Sequence, residues 1–436
     1  MTVEMPVVEE AGTPGAHGAA GLPRLLPPAA VPGLRAHEAR YGPVRLRGEA
    51  LIAEVERAGL TGRGGAAFPA GRKLRSVAAR ARRGAVLIAN GMESEPASAK
   101  DAALLARVPH LVLDGIALAA EAISADHAYL CVHRTDQAQA LAAAVAERSG
   151  RDPVPVTVTV LPARYTASEA SALVHHLNGG PAVPLFTPPR ASERGVRGRP
   201  TLVSNVETLA NVALISRYGA GWFRSVGGSA APGSALVTLT GAVPRPGVWE
   251  IALGTPLRDV LALSGAGASG VQAVLTGGYY GTWLPAATAL DAPASAAGLS
   301  AAGGAFGAGI MLVLPPGGCG LAETARVARY LAGQSAGQCG PCLHGLPEIA
   351  TALERLAFGG ASGRAGARAV RDLHQLTGLV AGRGACHLPD GVARLAATAL
   401  RVFSDDARRH ERGPCAGARG RPVFPVPASE YAGSAS

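Results

Sequence analysis

Apolar positions fall into three successive textures. From Gly48 to Leu60 the spacing of Leu51, Ile52 and Val55 predicts a helix that leads into a glycine-rich loop. Ala85-Val-Leu-Ile-Ala89 is a short apolar run bounded by Gly84 and Asn90, the pattern of a buried parallel strand. Residues 101–124 read as one long Ala/Leu helix, 127–132 as a second buried strand, 136–148 as a second helix and 154–161 as a third strand. Strand and helix in alternation predict a parallel α/β sheet. Near Gly227 the texture changes. Residues 235–240 and 248–251 read as a hairpin about a turn at 244–247, followed by a short helix over 255–263 capped by Thr255 and a strand over 271–275. Beyond Gly317 the pattern is helical, over 321–333, 346–357, 365–381 and 391–409. The expected domains are an α/β domain over 41–228, a β module over 234–290 and a helical domain over 315–410, with a flexible arm at 1–40 and a disordered tail at 411–436.

A chain of 436 residues has room for two or three domains. Its 48% hydrophobic and 17% charged content excludes disorder throughout, and its 58 glycines lack the period of collagen. Aromatics at 4% are too sparse to favour stacking on single-stranded nucleic acid. The net charge of +10 is carried almost wholly by scattered arginines, since only Lys73 and Lys100 are lysines. That distribution argues against a nucleic-acid partner and suits an acidic protein. Met1 to Glu10 carries acid and no basic stretch, and the longest apolar run, Gly304 to Pro316, is too short for a membrane span. The expectation is a cytoplasmic protein with no direct membrane span. Six cysteines are too few for a disulfide scaffold of this size and point to metal.

Four motifs carry candidate chemistry. Gly62-Arg-Gly-Gly65, running through Phe68 to Lys73, converges backbone N–H groups and two cations on one anion, as a phosphate requires. Asn90-Gly-Met-Glu-Ser-Glu95 follows the buried strand directly and so lies at the carboxyl edge of the sheet, where open α/β folds bind ligands. The segment Arg199 to Leu209 sets Asn205 and Thr208 in an apolar context. Cys339-Gly-Pro-Cys342, with Cys386 farther on, places three thiolates in a helical domain, where zinc or an iron–sulfur cluster is bound. A redox CxxC normally sits beside a βαβ pattern, which is absent here. Cys131 reads as a core residue, and Cys319 and Cys415 flank the helical domain with no assigned role.

In this order the four motifs, the β module and the segment Tyr165 to Leu173 resemble the NADH-binding flavoprotein (F-type) component of respiratory complex I, NADH:quinone oxidoreductase, and its relatives over residues 41–410. The resemblance implies a Rossmann-like FMN domain, a β-grasp soluble-ligand-binding module and a C-terminal helical bundle with an iron–sulfur site. It also implies electron flow from NADH through FMN to the cluster, with other oxidoreductase subunits as partners. Carried onto matching positions, the FMN site comprises Gly62, Arg63, Gly64, Gly65, Lys73, Asn90, Glu93, Ser94, Glu95, Asn205 and Thr208. The nucleotide side keeps Phe68, Tyr165 and Glu169, together with Glu95 as the catalytic carboxylate.

The departures from the family pattern are specific. Met92 and Ser204 replace an aspartate and an asparagine of the flavin site, and Ala170 replaces a glutamate. Ser76 and Arg190 stand where two aromatic rings sandwich the adenine, so the donor is NADH or, with Arg190 facing a 2′-phosphate, NADPH. Ala336 replaces the first cluster cysteine, leaving Cys339, Cys342 and Cys386 for a [3Fe–4S] cluster or a [4Fe–4S] cluster with an open iron. Cys319, His344, His387 or a partner could supply the fourth ligand. The alternatives to an NAD(P)H-oxidising subunit are an electron-transfer subunit reduced by a ferredoxin-like protein, or a non-enzymatic scaffold.

Overall fold

The computed structural model describes residues 22–359, 363–410 and 413–427. The expected flexible arm packs wherever it is described. Leu25 is fully buried, the N–H groups of Arg24, Leu25 and Leu26 all donate to Glu250 Oε2, and helix α1 (Leu34–Tyr41) follows. Residues 1–21 of the arm and 428–436 of the tail lie outside the described residues.

Helices α2 (Gly48–Ala58) and α3 (Ala70–Ala78) flank the glycine-rich loop. Strand β1 (Ala85–Asn90) is apolar on both faces because helices cover both sides of its sheet. The long helix expected over 101–124 is two helices, α4 (Lys100–Arg107) and α5 (Pro109–Ala122), bent by 96°. Pro109 causes the break: its ring disfavours a helical Val108, which sits at φ −140°, ψ 54°. Most of α5 is buried in the core, and no single helix among the described residues is long and apolar enough to cross a membrane. Strand β2 (Ala125–Val132), α6 (Thr135–Glu147), β3 (Val156–Val160), α7 (Ala170–Leu177), β4 (Thr201–Asn205) and α8 (Val206–Arg224) complete the domain. The sheet is parallel, in the order β3-β2-β1-β4. The order reverses beside β1, so the crevice between the carboxyl ends of β1 and β4 is where such a fold takes a ligand. Gly115 of α5 meets α8 so closely that a Cβ there would stand 2.0 Å from the Leu209 carbonyl oxygen.

The second sheet contains β5 (Ser234–Gly241), β6 (Gly247–Ala252), β7 (Ala273–Thr276), β8 (Thr282–Pro285) and β9 (Ile310–Leu314), in the order β8-β7-β9-β5-β6. β9 runs parallel to β5 and antiparallel to β7, and helix α9 (Leu257–Leu263) packs into the same core, giving the β-grasp arrangement. β9 comes from the apolar run near residue 310, so the module extends past the expected boundary at 290. Thr255 does not cap α9; its hydroxyl donates to the Ala252 carbonyl, and Pro256 precedes the helix.

The C-terminal bundle holds α10 (Gly320–Gly333), α11 (Leu346–Phe358), α12 (Gly363–Val380), α13 (Leu388–Val402) and α14 (Ser404–His410). The helix expected over 391–409 is interrupted at Phe403. The bundle shares one core with the grasp module, including Tyr279 and Trp283, and with Tyr165 of the α/β domain. The expected disordered tail is ordered over 413–427. Phe424 is buried and stacks on Trp283 with centroids 5.5 Å apart, and its N–H and that of Val423 donate to the Glu323 carboxylate.

Candidate functional site

Two motifs far apart in the chain meet at the sheet's carboxyl edge, because Asn90 ends β1 and its registered partner Asn205 ends β4. Asn205 Nδ2 donates to the Asn90 carbonyl (3.3 Å) and to Asp101 (2.7 Å), while its Oδ1 accepts the Glu207 N–H at the start of α8. Asn90 Nδ2 donates to the Ser168 carbonyl, and Ser94 bonds both Ser168 and the Tyr165 carbonyl. These side chains lock the crevice loops together.

Beneath them lies a buried charge cluster centred on Lys100, which is 1% exposed and sits 2.7 Å from Asp101 and 3.0 Å from Glu207. The two carboxylates outweigh burial and hold its ammonium well above its usual range. Glu93 is turned inward too: it accepts from Ser98 and from the N–H groups of Asp101 and Ala102, closing the start of α4. Arg63, expected to face a phosphate, points into the interface with the grasp module. Its guanidinium donates to Thr61 and to the Ser234 carbonyl and lies 3.7 Å from Glu207, while its backbone N–H donates to Thr208 Oγ1. A spacing argument locates a residue but not its direction, which here depends on the docked module.

Lys73 remains for the anion. Its ammonium donates to the Val203 carbonyl at 2.5 Å, burial lowers its pKa, and it pairs with no carboxylate among the described residues. A half-buried cation without an anion is costly, and a phosphate would relieve that cost. Gly65, at φ +111°, leaves the adjoining loop open: a Cβ there would meet nothing closer than 3.8 Å. These features fit FMN.

Lys73 and Val203 form one wall of a groove of about 740 Å³. Phe68, half exposed, and Phe186, 72% exposed, stand on its rim with Ser76, Glu169 and Arg190. Arg194 and Arg197 also line it; no guanidinium of the three arginines forms an ion pair among the described residues, while the Arg190 backbone N–H donates to Glu193. Glu169 caps α7 through Oε2.

Glu95 joins the α/β domain to the grasp module: it accepts from Tyr165 Oη (2.7 Å) and from the Tyr279 N–H (2.8 Å). Burial raises its pKa to about 7, against the pull of both hydrogen bonds. The Tyr165 ring packs on Tyr280 at 4.8 Å, and Tyr280 lies within electrostatic range of Cys342, Cys386 and Glu169. Cys342 and Cys386 neighbour Cys339, and burial with Cys339 close by pushes the Cys342 thiol up to about 12. A metal bound there would take the thiol as thiolate and displace its proton. The three thiols therefore converge beside the crevice, linked to it through two tyrosines.

Three family models match: the Nuo51 FMN-binding domain over residues 55–214, the SLBB domain over 236–278, and the NADH-ubiquinone oxidoreductase-F iron–sulfur binding region over 322–410. The chain is 31% identical to the F subunit of NADH-quinone oxidoreductase of Mycobacterium tuberculosis, covering 87% of this chain and 88% of that one. It is 31% identical to the corresponding protein of Streptomyces coelicolor, which carries the same name, covering 88% and 86%. The chain belongs to the family of NADH-quinone oxidoreductase F subunits. A crystal structure of NAD+-reducing [NiFe]-hydrogenase in the air-oxidised state superposes with a TM-score of 0.75 at 31% identity over 87% of this chain, which spans 64% of that longer one.

As a member of this family, the protein carries both an FMN-binding and an iron–sulfur-binding domain. At the cluster the residues present fit a three-thiolate site. Position 336 is alanine, and His344 and His387 are exposed. Cys319 packs instead against His410 and Cys415. Tyr280, Arg194 and Arg197 were missed by sequence reading. Tyr280 sits in a glycine-flanked turn without a periodic signal, and the arginines blend into an arginine-rich chain.

Proposed function

We propose that this protein is an NAD(P)H-oxidising electron-transfer subunit, passing electrons from the nucleotide through FMN to an iron–sulfur cluster held by Cys339, Cys342 and Cys386. The observation that carries the reading is the continuity of the site. The groove holding Lys73 and Glu169 adjoins the crevice, and Glu95, Tyr165 and Tyr280 connect that crevice to the cysteines. FMN supplies the exchange between a two-electron hydride and single electrons.

Within this reading Lys73 holds the phosphate, assisted by the backbone of Gly62, Gly64 and Gly65. Asn90, Ser94, Asn205 and Thr208 fix the loops around the ring, with Arg63 and Glu93 holding the loops from behind. Glu95, whose pKa burial raises to about 7, would keep or release a proton at its carboxyl. Phe68 and Glu169 border the nucleotide. With Ser76 and Arg190 in place of an aromatic clamp, the groove trades stacking for positive charge. Arg190, Arg194 and Arg197 favour a donor with an additional phosphate, so NADPH is the preferred nucleotide. Three cysteines favour a cluster with one iron unligated by this chain, or a [3Fe–4S] cluster.

The test is anaerobic titration of the purified protein with each nucleotide, following the flavin absorbance. Bleaching at lower NADPH than NADH supports the full reading, and equal bleaching overturns the donor preference. Flavin and iron inert to both nucleotides would establish the second reading, a subunit reduced by an acidic ferredoxin-like protein, which the missing aromatic clamp favours.

A further inference from the structure

Two cysteines and a histidine outside the site just described come together at the far end of the bundle. Cys319 Sγ, His410 and Cys415 Sγ present donor atoms that all lie within 4.8 Å of one another. Cys319 and His410 are each 3% exposed, and Cys415 is partly covered. They arrive from separate elements: Cys319 immediately precedes α10, His410 ends α14, and Cys415 opens the short helix Ala416–Arg419.

Two details of their surroundings suit ligands. His410 Nδ1 faces the Leu356 carbonyl at 3.1 Å, which makes Nδ1 the protonated nitrogen and turns the Nε2 lone pair toward Cys319 Sγ, 3.7 Å away. Bonds of about 2.3 Å to sulfur and 2.0 Å to nitrogen at a tetrahedral angle put those atoms about 3.5 Å apart. Cys319 Sγ also accepts the Ala322 N–H at 3.4 Å, at the N-terminus of a 14-residue helix, whose dipole points its positive end at the sulfur. The Cys415 N–H, 3.4 Å from Nε2, makes a long contact there that a bound ion would replace.

We propose that Cys319, His410 and Cys415 bind one zinc ion, separate from the iron–sulfur site, that pins the C-terminal strap to the bundle. Two thiolates and an imidazole with tetrahedral spacing select a borderline-soft cation without redox chemistry of its own, and a water completes the coordination. The strap beyond Cys415 runs back over the molecule, where Tyr279 Oη donates to the Pro425 carbonyl at 3.0 Å and Phe424 covers Trp283. Zinc at its root would fix the end from which that packing extends.

Metal analysis of the full chain, purified without added metal, reads zinc and iron together. The expected result is about one zinc per chain, lost in Cys415→Ser and in His410→Asn while iron and flavin stay at wild-type levels, and retained in Cys342→Ser, which loses iron. Cys415 is partly exposed in the strap, so its serine variant tests the site without disturbing the core. Chelation of zinc should speed tryptic cleavage after the exposed Arg419 by about tenfold or more, because cleavage follows the population of the detached strap. Less than a tenth of a zinc per chain after incubation with zinc chloride would overturn the proposal. So would zinc undiminished in Cys415→Ser, or a Cys319–Cys415 disulfide found by peptide mapping of anaerobically purified protein.

Discussion

Lys73 shows how one residue can be unfavourable for the fold and required by the site. Its ammonium is desolvated against a carbonyl and lowered in pKa, so replacing it with an apolar chain of similar length removes a cost from the empty protein. Lys73→Met should leave the melting temperature unchanged or raised, while flavin affinity falls by about tenfold or more, the equivalent of one lost charge-assisted phosphate contact. Fluorescence titration of released FMN measures the affinity; wild-type affinity in the variant would move the phosphate elsewhere. Glu95 gives a pH prediction. Its folded pKa of about 7 lies above the ordinary 4.5, so its contribution to stability is fully present below about pH 4.5 and is lost as pH rises through 7. The loss is at most about 3 kcal/mol. Glu95→Gln, which cannot ionise, should flatten that part of the stability curve, measured by urea unfolding between pH 5 and 8. The two lysines were legible as chemistry because an arginine-rich chain keeps lysine for only two places. Only one of them faces the groove; Lys100 lies in the core, as pairing with Asp101 and Glu207 requires.

At the scale of elements, the alternation of strands and helices was legible because a buried parallel strand needs apolar residues on both faces. The long Ala/Leu helix was not: period alone carries the pattern through Val108, and one proline cancels it. β9 escaped notice for a related reason, since a glycine-rich apolar run reads equally as loop or strand until β5 and β7 pair with it. Packing between elements has no signature in a single chain, and the α5–α8 crossing depends on it. The Gly115 position faces the Leu209 backbone, which has no flexible end to yield, so a methyl group must push α8 away from α5. Since Asn205 caps α8, the displacement would reach the crevice. Gly115→Ala should therefore cost about 3 kcal/mol by overpacking, and it should weaken FMN retention from a position outside the site. Chemical unfolding together with flavin content checks both effects; a wild-type result in each would mean that the helices can separate freely.

For the molecule as a whole, the three domains were legible in order but their joints were not. The joints rest on single side chains that cross boundaries: Glu95 to Tyr279, Arg63 to Ser234, and Phe424 on Trp283. Composition made the tail look disordered, since a Gly/Pro/Arg-rich segment cannot build a core of its own. It can still borrow one, with one aromatic ring and two N–H groups directed at Glu323. A strap held in this way can detach without unfolding the rest, which bounds what any change in it can cost. Phe424→Ala would lose about 3 kcal/mol or more if the site were locked into the global transition. Because the strap opens locally, the loss in global unfolding stops at the strap's own docking free energy, while the open population keeps rising. The variant should thus show a small shift in denaturation midpoint with tryptic cleavage after Arg419 faster by about tenfold or more. Its iron and flavin should be unchanged, because neither the crevice nor Cys339, Cys342 and Cys386 touches the strap in these interactions. Cleavage at the wild-type rate would mean that the hydrogen bonds to Glu323 and Tyr279 hold the strap without its aromatic anchor. A full 3 kcal/mol loss with coincident release of flavin would mean instead that strap, bundle and flavin domain unfold as one cooperative unit.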